Sequence, residues 1–195
     1  NKIWQVKAGG KAYDGRGLLK SMLRTGQVGA GAQGDKRGRS KGIVLKAKFD
    51  TVLGWKQSKL SRFKIDMRRK GDVLTKFVMG GTLLNGGSLT ANLVSEKEDD
   101  PVIRVRSSDA GEALRFVGFY PNMLGGNGQL KVRYNVKSRQ LASKTGQLEI
   151  NRFSIASDPV VKEVLANISQ GKKTKSVNGQ DIIPFNRLVA PFSIG

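Results

Sequence analysis

The amino-acid sequence predicts a mainly β protein, an antiparallel meander that forms a curved, open, taco-like half-pipe sheet with an apolar interior and two or three short helices. Apolar and polar residues alternate with a period of two over most of the chain, as they do in strands that bury one face. Gly, Asn, Asp and Ser interrupt these runs at hairpin-like intervals. Only short stretches have helical spacing.

The alternation is clearest between residues 43 and 151. In one segment, Phe63 and Ile65 alternate with Lys64 and Asp66, so one face is predicted to be apolar and the other charged. The segments with this pattern are Ile43 to Phe49, Phe63 to Met67, Val73 to Met79, Leu89 to Leu93, Ile103 to Val105, Leu130 to Val136 and Leu148 to Ile150. A last strand is expected from Ile182 to Ile194, with the sheet continuing in a longer parent protein.

Residues 1–42 form a region of different character from the sheet module predicted over 43–195. Lys2 to Ala8 is predicted to be a short strand that ends in a Gly9-Gly10 turn. A short amphipathic helix is expected to follow, with its apolar positions at Leu18, Leu19, Met22 and Leu23. The Gly-rich, basic stretch from 26 to 42 has little to bury and is predicted to be a flexible loop.

Two further helices are expected within the meander. Asp109 followed by Glu112 has the spacing of a capping box, with Gly118 near the predicted end of that helix. Asp158 followed by Pro159 reads as an N-cap and a proline at the first helical position. The apolar positions of this second helix form a stripe suited to docking, at Val160, Val161, Val164, Leu165 and Ile168.

The charge balance favours anionic partners. The chain has 35 Lys and Arg against 15 Asp and Glu, a formal net charge of +20, so anionic membrane surfaces are expected partners alongside the plain role of charge in solubility. Nucleic acid is the competing partner, suggested by the basic stretch at 26–42. Aromatic residues make up only 7% of the chain and fall in the apolar alternation rather than among the basic residues, where bases would stack. Nucleic acid is therefore not expected.

Catalytic apparatus is not visible in the sequence. The chain has no His and no Cys, which removes the usual general base and the commonest metal ligands. The acidic run Glu96 to Asp100 lacks EF-hand spacing, and a P-loop is absent. The pairs Gly80-Gly81, Gly86-Gly87 and Gly125-Gly126 are predicted to be turns rather than phosphate cradles. We therefore expect a protein that is not an enzyme, without a metal or cofactor.

The shared apolar face leaves two interpretations open. Because few helices are available to cover it, the sheet must close into a barrel, dimerise or leave an apolar trough, and a trough would suit acyl chains, which need no hydrogen bonds. Alternatively, the same residues form an ordinary core under the helices. The predicted lipid-binding residues are Phe63, Ile65, Met67, Phe77, Met79, Leu130, Val132, Tyr134, Leu148 and Ile150.

A motif between residues 108 and 130 resembles a known family. The run Ser108-Asp109-Ala110-Gly111-Glu112-Ala113-Leu114-Arg115-Phe116-Val117-Gly118-Phe119-Tyr120, followed by Met123-Leu124-Gly125-Gly126 and Gln129-Leu130, is similar to the C-terminal region of AsmA-like bacterial envelope proteins of the AsmA, TamB and YhdP type. Phe153 to Val161, Ile183-Pro184-Phe185 and Phe192 to Gly195 are also similar, and the resemblance covers about residues 43–195.

The resemblance implies a periplasmic protein, anchored in the inner membrane by a segment outside this sequence. Such proteins are thought to form long β-sheet half-pipes whose apolar interior carries phospholipid between the inner and outer membranes. A lipid-transport module that binds phospholipid or another acyl-chain lipid is therefore the expected function. The alternative is a scaffold for outer-membrane protein assembly, with the rest of the parent chain or assembly proteins as partners.

Overall fold

A computed structural model describes residues 3–17, 19–20, 42–70, 73–95, 101–134, 144–168, 175–177 and 180–194. The strands are β1 (Ile3–Asp14), β2 (Gly42–Leu53), β3 (Lys59–Lys70), β4 (Val73–Leu83), β5 (Ser88–Ser95), β6 (Pro101–Ser107), β7 (Met123–Tyr134), β8 (Lys144–Ala156), β9 (Lys175–Val177) and β10 (Gln180–Ile194). The helices are α1 (Ala110–Phe116) and α2 (Pro159–Ile168).

All described strands belong to one sheet, in the order β1-β2-β3-β4-β5-β6-β7-β8-β10-β9. Nine of them are long, and β9 has three residues. Every neighbouring pair is antiparallel except β1 and β2, which are parallel. The two outer strands, β1 and β9, do not pair with each other, so the sheet is open and not a barrel. The predicted mainly β, mostly antiparallel open sheet is confirmed.

Two local predictions about glycines are wrong. Strand β1 continues through Gly9 and Gly10, which pair with Lys48 and Phe49, instead of turning there. It lies parallel to β2 because the intervening chain is long enough for a crossover connection. Gly80-Gly81 lies inside β4; a Cβ on Gly81 would stand 2.6 Å from Cγ of Leu60, so this glycine permits a close approach rather than a turn.

Other local predictions are confirmed. Gly86 has a φ of +87° and its N–H donates to the Leu83 carbonyl at 3.0 Å, so Gly86-Gly87 forms the hairpin turn between β4 and β5. The Leu19 N–H donates to the Gly15 carbonyl in a helical turn. The remainder of that helix, residues 26–41 of the predicted basic loop and the acidic run at 96–100 lie outside the described residues, and the division at residue 42 stays a prediction.

The alternation of faces changes phase within several strands, and the neighbouring strands accommodate the change in two ways. In β3 the phase changes between Leu60 and Phe63, at Arg62, whose φ is +54°. In β8 it changes at Arg152, also at +54°, between Ile150 and Phe153, which pack in one apolar cluster. Strand β2 keeps its register with β3 through the change, as β7 does with β8, whereas β4 is offset from β3 by a bulge at this level. The apolar side chains therefore stay on one face along the whole strand.

Gly125 and Gly126 do not form a hairpin turn, contrary to the prediction, and lie inside β7. Both have positive φ values, +65° and +88°. The register pairs Gly125 with Phe153 and Asn127 with Asn151, which places Gly126 level with Arg152. The two glycines therefore supply the left-handed backbone that lets β7 follow the phase change in β8.

Helix α1 begins as the sequence predicts. The Glu112 N–H donates to Oδ1 of Asp109 at 2.7 Å, as an N-cap requires. The Glu112 carboxylate does not complete a capping box, because it accepts from Arg115 at 2.9 Å. Arg115 also donates to the Met123 carbonyl at 2.9 Å, so α1 is fixed to the start of β7.

Helix α2 begins at the predicted N-cap but does not dock as expected. Oδ1 of Asp158 accepts from the N–H groups of Val160 and Val161 at 3.0 and 3.1 Å. A second contact comes from the Tyr120 hydroxyl, which donates to the Asp158 carboxylate. Val160 and Val164, on the predicted docking stripe, are exposed. The N-terminal end of α2 is thus tied to the loop after α1 while these two valines face solvent.

We predict that Gly126→Ala destabilises the protein more than Gly125→Ala. Both substitutions put a side chain on left-handed backbone, at a cost of about 1–2 kcal/mol. A Cβ at Gly125 meets nothing within 4 Å, whereas one at Gly126 would stand 2.8 Å from Cβ of Phe153, adding about 1–3 kcal/mol of overpacking. Denaturant unfolding measures the difference, and equal losses would contradict this account of the bulge.

Tyr120→Phe should lower the melting temperature by a few degrees at neutral pH, through loss of the hydrogen bond to Asp158. Burial, and then this bond, raise the pKa of Tyr120 to about 12. A raised folded-state pKa means that the contribution is complete below pH 10 and is lost as pH rises towards 12. Wild type should therefore approach the variant in thermal unfolding above pH 10, and parallel pH profiles would refute the proposed role of the bond.

Candidate functional site

Three apolar clusters lie along one face of the sheet. The helix-side cluster is formed by Val52, Leu60, Leu83, Leu89 and Phe116. The central cluster consists of Met67, Phe77, Ala91 and Ile103. The C-terminal cluster consists of Ala110, Met123, Ile150 and Phe153.

Helix α1 covers two of these clusters and leaves the third open. Phe116 packs in the helix-side cluster and Ala110 in the C-terminal cluster, whereas no helical residue belongs to the central cluster or packs against it in the part of the chain that the structure describes. We call the central cluster and its half-buried neighbours the trough. Those neighbours are Leu45, Ile65, Leu74, Met79, Leu93, Val105 and Val132.

The ten predicted lipid-binding residues divide by exposure. Met67 and Phe77 are 4% exposed and Ile150 is 0% exposed, so these three pack against protein. Of Tyr134 only the backbone is described, paired with Lys144. The half-buried members, whose side chains keep some open surface, are Phe63, Ile65, Met79, Leu130, Val132 and Leu148.

Half of the predicted set meets in the trough, namely Ile65, Met67, Phe77, Met79 and Val132. The others lie elsewhere on the same face. Phe63 packs against the helix-side cluster, while Leu148 and Ile150 belong to the C-terminal region. Leu130 pairs with Val105 on one side and Leu148 on the other, between the trough and that region.

The predicted set omitted four half-buried trough residues, Leu45, Leu74, Leu93 and Val105. All but Leu74 follow the period-two pattern that selected the others. Pattern alone did not rank them because their proximity depends on the register of five neighbouring strands. Leu45 pairs with Met67, for example, and Leu93 with Ile103.

Charged side chains lie on the opposite face and pair across strands in solvent. Lys76 donates to Asp66 at 2.6 Å and Arg187 to Glu149 at 3.0 Å. The Lys76 hydrogen bond lowers the pKa of Asp66, and hydrogen bonds from Asn151 and Arg187 lower that of Glu149. Because these pairs are exposed, they contribute little to stability. The sheet is therefore apolar on one side and ionic on the other.

Glu112 of α1 is the one buried acidic side chain among the residues that the structure describes. Its Oε2 accepts from Arg115, and its Oε1 has no hydrogen-bond partner among the described atoms. Within the described ranges, no three acidic side chains are grouped as a metal ion would require. Neither described helix has the length and apolar character needed to cross a membrane. Glu112 and Arg115 together fix α1 to β7.

Comparison with known protein families, with curated proteins and with solved structures finds no match to this chain. The AsmA-like resemblance therefore remains a prediction from the motif around Asp109. The function has to be argued from the trough itself.

Proposed function

We propose that this chain is a non-enzymatic lipid-binding module, part of a periplasmic conduit that carries phospholipid between the inner and outer membranes. The observation that supports this proposal is the central cluster, an apolar surface that no helix covers in the described part of the chain. The AsmA-like motif favours a location in the envelope, and an open sheet, as found here, is the architecture that the resemblance implies.

An acyl chain matches the chemistry of this surface. The trough presents aliphatic and thioether side chains, such as Ile65, Met79 and Val132, which need no hydrogen-bond partners. Transfer of a chain from water to such a surface gains about 0.8 kcal/mol for each buried CH₂. Several methylene groups lying along the half-buried side chains would remove both surfaces from water.

The two ends of the strands differ in a way that suits a conduit. At one end, Phe116 of α1 packs on Val52 and Leu60, so protein fills the face there. Towards the other end, Met67 and Phe77 form the floor and are themselves buried, with half-buried side chains around them. A chain would lie on this floor and against its rim, while α1 limits how far it extends.

Ile65→Glu is predicted to reduce binding of acyl-labelled phosphatidylcholine by about tenfold or more, because a carboxylate in the trough would have to be desolvated by the lipid. The half-buried Ile65 is a better probe than the buried Phe77, whose replacement by a charge would also disturb folding. Fluorescence binding and native mass spectrometry of the purified protein measure the loss.

The matched control is Val78→Glu. It makes the same change of charge with a similar loss of a β-branched side chain, but Val78 is 51% exposed and lies on the opposite face, level with Asp66. The control should bind phosphatidylcholine as wild type does. Equal binding by both variants, or wild-type protein that never carries lipid, would reject acyl-chain binding in the trough.

A scaffold for outer-membrane protein assembly is the second candidate, and β1 favours it. This strand forms one edge of the sheet, and all of its 12 residues are exposed. Large apolar side chains lie along it, with Trp4 60% and Val6 44% exposed. A long apolar edge is a template for the addition of another strand.

Photo-cross-linking distinguishes the two candidates. A cross-linking residue at Ile65 should form adducts with phosphatidylcholine, and one at Val6 should not, if the trough is the working surface. A scaffold predicts the reverse: Val6 should cross-link to an unfolded outer-membrane β-barrel polypeptide added to the purified protein, with lipid adducts absent from Ile65. Mass spectrometry of the adducts identifies the partner.

A further inference from the structure

A basic hollow lies against the polar face of the sheet, and three trough residues, Ile65, Met79 and Ala91, also contribute to its lining. Its volume is about 1370 Å³ and it extends over β1 to β6. Its basic residues are Lys7, Lys46, Lys48, Arg62, Lys64 and Arg106. Asp66 is the single acidic residue among the described residues that line it, and Asp66 is already bonded to Lys76.

Like charges face each other directly in this hollow. The register pairs Lys48 with Lys64 across β2 and β3, and Lys7 with Lys46 across β1 and β2, where Lys46 also faces Asp66 of β3. Like charges at directly opposed positions of a sheet destabilise it. An anion bound between the lysines would relieve this repulsion. The facing lysines are therefore more stable with a bound anion than in the free protein.

Glycine keeps the floor of the hollow bare next to the lysines. Gly80 pairs with Lys64 on one side and with Thr90 on the other, and Thr90 pairs in turn with Arg106. A Cβ on Gly80 would come no closer than 3.7 Å to its neighbours, so packing does not require glycine there. Its effect is to leave room between Lys64 and Arg106.

We propose that this basic hollow binds the phosphate groups of anionic phospholipid headgroups at a membrane surface. Lysine and arginine side chains beside the Thr82 and Thr90 hydroxyls are the groups that recognise phosphate. The lining contains no aromatic side chain, so it lacks the stacking platform of a single-stranded nucleic-acid site. The basic side chains of the hollow alternate along the strands with the apolar side chains of the trough and so lie on the opposite face, which makes membrane docking and acyl-chain binding separate properties.

Lys48→Glu tests whether the lysines that repel each other in the hollow bind phospholipid phosphate. The substitution places an acid opposite Lys64, and an opposite-charge pair stabilises a sheet where a like-charge pair destabilises it. The melting temperature should therefore stay level or rise, while affinity falls for vesicles of phosphatidylcholine containing about 30% phosphatidylglycerol. A variant that is more stable and binds these vesicles as wild type does would overturn the proposal.

A matched pair of double variants separates the hollow from net charge. Lys48→Glu with Lys64→Glu, and Lys59→Glu with Lys70→Glu, each change the net charge from +20 to +16, since each Lys→Glu removes two positive units. Lys59 and Lys70 are exposed residues of the same strand, β3, outside the hollow. At about fivefold per basic residue near an anionic surface, the first pair should lose tenfold or more in co-sedimentation with phosphatidylglycerol vesicles, and the second far less. Equal losses would overturn the proposal.

Two further experiments identify the source of the bound phosphate and the face of the sheet that docks on the vesicles. Single-stranded DNA, supplied at the same phosphate concentration, should bind more weakly than the vesicles. If DNA instead binds more tightly, and Lys48→Glu with Lys64→Glu abolishes that binding, the hollow is a nucleic-acid site. Val132→Glu, a trough variant outside the lining of the hollow, should keep wild-type binding to phosphatidylglycerol vesicles. Loss of that binding in Val132→Glu would show that the trough inserts into the vesicles and that the hollow is not the docking surface, whereas failure of the trough experiment alone leaves vesicle docking intact.

Discussion

The structure depends on keeping all apolar side chains on one face of a single, long-stranded sheet. Side chains alternate with a period of two, so a phase change within one strand would move its apolar residues to the charged face unless the neighbouring strand followed it or a bulge absorbed the extra residue. Arg62 in β3, and Arg152 in β8 beside Gly126 in β7, adopt left-handed backbone at such points. At these irregularities the apolar positions shift by one residue while the side chains stay on the same face. Leu60 and Phe63 therefore share one cluster, and Ile150 and Phe153 share another.

Properties that depend on a few consecutive residues could be predicted from the sequence. The alternating runs are strands, and Asp109 and Asp158 cap the two helices. The role of a glycine could not be predicted in the same way. Gly86 turns the chain, whereas Gly81 lies within a strand because Leu60 occupies the space above it. Which of these occurs depends on a neighbouring strand, and the parallel pairing of β1 with β2 is a long-range property for the same reason.

From the sequence, one can predict which face of the sheet carries the candidate site, but not which residues on that face form it. Period two identifies Ile65, Met67 and Phe77 as members of one apolar face, but it does not separate the buried floor from the half-buried rim. That separation follows from α1, which covers the helix-side and C-terminal clusters and leaves the central one open. The basic hollow had no local signal at all, because Lys48 and Lys64 lie 16 positions apart and meet only through the register of β2 and β3.

The phase changes also determine how the two faces can specialise. Because a sheet is one residue thick, successive side chains lie on the trough side and the hollow side in turn, and Val105 and Arg106 are adjacent in sequence yet belong to opposite surfaces. An apolar surface without a helix over it costs free energy in water, and so do lysines that face each other across strands. Neither feature stabilises the isolated sheet, and an amphiphile has both of the complementary chemistries, an acyl chain for one face and a phosphate for the other. The unfavourable features of the two faces therefore favour the same class of partner for both proposed sites, with a different molecule of it at each.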